Sequence, residues 1–115
     1  MQRKTVRSIL AACVLYGCAN SNPDARASSD PNVQSVLKGW QKCALFSALN
    51  EAATDKSAEA GADAAMALCH DEEGRYVKAL IGAHATPEGA AQIERQKFED
   101  IRGQMIAEIL GWRNR

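Results

Sequence analysis

Residues 43–69 read CALFSALNEAATDKSAEAGADAAMALC. Two alanine-rich arms flank the polar Thr54-Asp55-Lys56, and each arm is bounded by a cysteine. If both arms are helices that turn near Asp55-Lys56, Cys43 stands about 12 residues before the turn and Cys69 about 13 after it. At a rise of about 1.5 Å per residue the two thiols then lie level. Ala58, Ala60, Ala62, Ala64, Ala65 and Ala67 keep the second arm slim, so the backbones can approach closely enough for a disulfide. Closing a loop of 26 positions contributes about 3–4 kcal/mol in the chain-entropy account, comparable to the whole stability of a small core.

The punctuation outside this hairpin is also helical. Asp30-Pro31 and Thr86-Pro87-Glu88 each put a capping side chain before a proline at the first helical position, where its missing N–H costs nothing. Ser57 before Ala58-Glu59 is a third start. The predicted helices run over 31–53, 57–83 and 87–112. Each carries an apolar stripe: Val33, Val36, Leu37, Trp40, Cys43, Ala44 and Ser47; then Ala58, Ala62, Ala65, Met66, Cys69, Tyr76, Val77 and Leu80; then Ala91, Phe98, Ile101, Met105, Ile109 and Trp112. Three one-sided helices bury one another best as a small antiparallel three-helix bundle, an all-α fold stapled by one inter-helix disulfide. The low aromatic content makes the staple important.

Upstream of the helices, Arg3, Lys4 and Arg7 precede an apolar run from Ile9 to Tyr16 that is too short to span a bilayer, which is the anatomy of an export signal. Within it, Leu15-Tyr16-Gly17-Cys18 resembles the lipobox of bacterial lipoproteins, with a leucine three before and a small residue one before the cysteine. Leu10-Ala11-Ala12-Cys13 fits the same box, but only Ser8 to Ala12 separates it from the last basic residue, fewer than the roughly 7–15 apolar residues a signal core needs. The resemblance implies cleavage before Cys18, acylation of its thiol and, with Ala19 following, an outer-membrane address on the periplasmic side. An ordinary signal cut after Ala19, leaving a soluble periplasmic or secreted chain, is the alternative. The expected organisation is a signal peptide over 1–17, a lipid-anchored disordered tether over 18–30 and a helical domain over 31–115.

Cleavage leaves 98 of the 115 residues, with 11 basic against 14 acidic side chains, a net charge of −3. That balance, with no basic face and few aromatics, excludes nucleic acid as a partner. Trp40-x-x-Cys43 followed by Cys69-x-x-x-Glu73 is similar to a pattern of short exported proteobacterial proteins, a resemblance that spans 39–80 and implies no activity.

Chemistry is sparse. The cysteines lack C-x-x-C spacing, and Cys69 is followed by Asp71, Glu72 and Glu73, which disfavour a thiolate; the pair reads as structural. His70, Asp71 and Glu73 concentrate metal-ligand types. On an unbroken helix Glu73 falls inside the apolar stripe, where it wants a metal or a cationic partner. Alternatively Gly74 loosens the helix and these acids face water. His84 reads as a helix C-terminal cap favouring the dipole. Neither a nucleophile elbow nor a phosphate-cradling glycine loop occurs, so no catalytic residue and no cofactor are expected.

A second stripe on the first helix, Leu45, Phe46 and Leu49 with Ala53, is either absorbed by packing that helix between the other two or exposed as a partner or self-association surface. The leading expectation is therefore a lipid-anchored envelope protein acting as an interaction or structural module. The alternative is a periplasmic metal- or small-ligand-binding protein using His70, Asp71 and Glu73.

Overall fold

The computed structural model describes residues 22–115, and these are all-helical, with no strand among them. Five helices follow in order: α1 Pro23–Ser29, α2 Pro31–Ala52, α3 Ala58–Leu68, α4 His70–Gly82 and α5 Pro87–Arg113. Four start on a capping side chain. Asn22 Oδ1 accepts from the N–H of Asp24 (2.9 Å), Asp30 Oδ1 from that of Asn32 (2.8 Å), Ser57 Oγ from that of Ala60 (3.1 Å) and Thr86 Oγ1 from that of Gly89 (3.0 Å). Proline occupies the first turn of α1, α2 and α5. Local chemistry thus sets these starts.

The Cys43–Cys69 disulfide is present, with Cα atoms 5.9 Å apart. The polar turn sits between α2 and α3 as expected, with Lys56 paired to Glu51 at 2.6 Å. The close approach extends along the seam: a Cβ on Gly61 of α3 would lie 3.0 Å from Ile109 Cδ1 of α5 and 3.3 Å from Glu51 Cβ of α2. Trp40, Tyr76, Met66, Leu80, Ile101, Ile109 and Val33 supply the bulk of the core. The Trp40 and Tyr76 rings meet at 5.7 Å between centroids, a tilted aromatic contact.

Two expectations are corrected. The single helix over 57–83 is two helices, broken at Cys69, whose backbone (φ −103°, ψ 25°) leaves helical geometry. α4 begins with no capping side chain, so its start is set by packing. Across the break the stripe keeps its period: Cys69 is turned to α2 for the bridge, Tyr76 and Leu80 are buried beyond it, and Glu73 is half-buried. It falls at Cys69, and Gly74 is helical.

The second correction concerns the expected tether over 18–30, of which residues 23–29 form α1. The polar PDARASS buries only Ala27. What docks it is Asp24, whose carboxylate accepts from the Thr86 N–H (2.8 Å) and Thr86 Oγ1 (3.2 Å) at the start of α5. The carboxylate occupies the space a Cβ on Gly89 would fill. A negative charge over exposed N–H groups at a helix start is favourable. The signal peptide over 1–17 and Cys18 lie outside the described residues.

His84 caps α4 through its backbone. With φ at 75°, it donates its N–H to Ile81 O (2.9 Å), while the Ala85 N–H reaches Leu80 O (3.0 Å). This is the paired C-terminal motif in which glycine is favoured. Replacing His84 by Gly is expected to raise stability by about 0.5–1 kcal/mol in urea denaturation, because a Cβ at positive φ carries a steric cost; an unchanged or lower midpoint would mean the imidazole contributes more than the strain.

Candidate functional site

The outward face of α2 follows from its period. Val33, Leu37, Trp40, Ala44, Ser47, Ala48 and Ala52 point into the core. Positions 38, 42, 45 and 49 then share one outer flank, within an arc of roughly 60°, and position 46 falls about 40° beyond it, nearly opposite the core. Lys38 and Lys42 are exposed, Leu45 and Leu49 are each 37 % exposed, and Phe46 is 71 % exposed. Because α2 packs against α3, α4 and α5 at once, the two leucines keep part of their surface covered while Phe46 projects into solvent. Leu68, next to the bridged Cys69, is exposed as well.

His70, Asp71 and Glu73 do not gather as a ligand set. His70 Nδ1 approaches Glu73 Oε1 at 3.6 Å, and Asp71 is exposed to water. Glu73 turns instead to a residue the sequence reading missed. The Glu94 carboxyl of α5 is hydrogen-bonded to Glu73, and that contact, with partial burial and repulsion between the two acids, pushes Glu94 up to about 7. Arg95 opposes the shift only weakly. The clue to Glu94 was its place in the α5 stripe: it precedes Phe98 by four residues and Ile101 by seven, so it faces inward with them.

Among the described residues, the one cluster of three possible metal-binding atoms within 4.8 Å is the Cys43 and Cys69 sulfurs with a Glu72 carboxylate oxygen. Both sulfurs are bonded to each other, and Glu72 is held by Arg75 at 3.5 Å. Cys69 is fully buried, with Ser47 Oγ 3.7 Å from its sulfur. A carboxylate at this distance disfavours a thiolate, and the buried sulfur is shielded from exchange. The geometry is that of a structural bridge.

A shallow groove of about 550 Å³ runs between the start of α2 and α4, lined by Asp30, Asn32, Val36, Arg75, Lys78 and Ala83 among others. In the core, Trp40 Nε1 and the Tyr76 hydroxyl lie buried without a protein partner, and burial pushes the Tyr76 hydroxyl above its usual range.

The Glu73–Glu94 contact makes stability depend on pH. Glu94 holds its proton more tightly in the folded chain than in the unfolded one, so this contribution is complete below about 4.5 and is lost as pH rises through about 7. Thermal denaturation is expected to give a lower Tm near pH 8 than near pH 5. Glu94→Gln should flatten that slope and raise the Tm at the alkaline end; a wild-type profile unaffected by the substitution would show that the two acids do not share a proton.

Reduction of the bridge should lower the Tm by at least about 10 °C, from a loop contribution of about 3 kcal/mol in a domain of this size. A reduced protein that melts with the oxidised one would remove the staple from the account. No family model, curated protein or solved structure matches this chain, and the site therefore rests on its own residues.

Proposed function

We propose that the chain is a lipid-anchored helical protein of the cell envelope, held to the periplasmic side of the outer membrane through Cys18 and acting as an interaction or structural module. The observation that carries this reading is the Cys43–Cys69 bridge. It pairs the two thiols left free in a chain acylated at Cys18, and such bridges persist in oxidising compartments. The bridge is consistent with the export signal in residues 1–17 and favours the same address. In this reading α3 and α4 form one kinked arm, and with α2 and α5 they make an antiparallel three-helix bundle. The interaction half of the proposal takes the α2 face with Phe46 at its centre.

Acylation at Cys18 would hold the domain close to the bilayer. Cys18 stands five residues before Pro23, a contour of no more than roughly 18 Å. α1 then serves as a strap that ties the anchor to α5 through Asp24.

Intact mass of the protein extracted from membranes is expected to give a chain that begins at Cys18 and carries lipid, and Cys18→Ala should move it to the soluble fraction. A soluble wild-type chain beginning at Asn20 would instead establish ordinary secretion.

A further inference from the structure

The geometry points to one occupant for the exposed face of α2: an anionic lipid leaflet, on which the helix lies flat. This rests on the envelope reading for its setting, and on the side chains of α2 for its chemistry. Of the charged residues in α2, only Lys38, Lys42 and Glu51 occur, and Glu51 is withdrawn into an ion pair with Lys56 at 2.6 Å. The exposed face therefore carries two lysines and no acid. Neither lysine makes an ion pair among the described residues. Glu72, whose carboxylate lies beside the Cys43 sulfur of α2, is held by Arg75 at 3.5 Å.

The lysines are interleaved with Leu45, Leu49 and Phe46 over about 17 Å of helix. Protein interfaces are depleted in lysine, whereas at a lipid surface its stem lies along the apolar boundary while the ammonium reaches anionic headgroups. Phe46, 71 % exposed, would enter at the level of the acyl boundary, flanked by two leucines that already present more than a third of their surface. Two lysines and one aromatic bind a bilayer weakly by themselves. A chain already anchored nearby needs no more, since the second contact is then intramolecular.

The test uses the full processed chain, purified from membranes and reconstituted into vesicles of phosphatidylcholine alone or with phosphatidylglycerol added. A photoreactive benzoylphenylalanine replaces Phe46 or, as a control, the exposed Gln96 of α5. Position 46 is expected to yield a phospholipid adduct, at least about five-fold more in the anionic vesicles, and Lys38→Glu with Lys42→Glu should erase that difference. Position 96 should yield little. Equal yields in the two vesicles, no lipid adduct at position 46, or an adduct to a second copy of the chain would each overturn the assignment. The mass of the same preparation reads the anchor separately: an acylated chain without a lipid adduct sinks this inference alone, and an unacylated chain that still gives the anionic-dependent adduct sinks the anchor alone.

Discussion

The covalent link between Cys43 and Cys69 imposes a spacing that the remaining side chains must accommodate. Holding α2 and the end of α3 with Cα atoms 5.9 Å apart leaves no room for large residues along the shared seam. The seam is accordingly built from Ala44, Ala48, Ala62 and Ala65, all fully buried, with Gly61 placed where even a methyl would press on Ile109. Alanines bury little apolar area each, so this half of the domain gains less from transfer out of water than a leucine-rich core would. The bridge offsets that deficit by restricting the unfolded chain. Met66 and Ile109 supply the larger side chains of this half, and beyond the break at Cys69 Trp40 meets Tyr76, with Leu80 and Val33 fully buried as well.

How much of this could be read locally follows from where the determining contacts lie. α2 and α5 were legible because their starts are written in adjacent residues, a capping oxygen and a proline, and their stripes keep one period throughout. The bridge was legible because the turn lies midway between its cysteines. α1 was not, although Asn22 and Pro23 write its start in the same way, since PDARASS is polar and docks through Asp24 meeting Thr86, 62 positions away. The break at Cys69 was equally hidden. No glycine or proline marks it, Gly74 drew attention to the wrong place, and the cause is a tertiary demand that the chain serve α2 on both sides of the break. For the candidate site, Glu73 stood out as an acid in an apolar stripe, to be turned to water or neutralised by a cation or metal. The partner is another acid on another helix, and only the fold brings them together.

That pairing divides the domain electrostatically. Along the α2–α3 hairpin the charges are complementary: Lys56 pairs with Glu51 at the turn, and Arg102 with Asp63 at 2.6 Å, the latter holding the Asp63 carboxyl below its usual range but adding little where water screens it. Between α4 and α5 two like charges are partly removed from water, and one must keep a proton for the contact to persist. The α4–α5 contact is therefore the place where a change in pH alters packing, while the α2–α3 hairpin is fixed covalently. The two regions are joined through α2, which touches both.

This arrangement bears on how the face of α2 can present Phe46. An exposed aromatic on a helix free to shift would gain burial by rolling inward, and its exposure would say little about function. α2 cannot roll in that way. Cys43 is tethered three positions before Phe46, Ala44, Ser47 and Ala48 are locked into the core on the opposite side, and Arg113 of α5 donates to the carbonyl oxygens of Ala52 (3.1 Å) and Thr54 (3.0 Å) at the helix end. With the rotation of α2 held at the bridge, along the seam and at its C-terminus, the outward position of Phe46 follows from the staple itself. The same covalent constraint that makes a thin core stable thus keeps an apolar ring in water beside two lysines, in the arrangement a lipid surface can use.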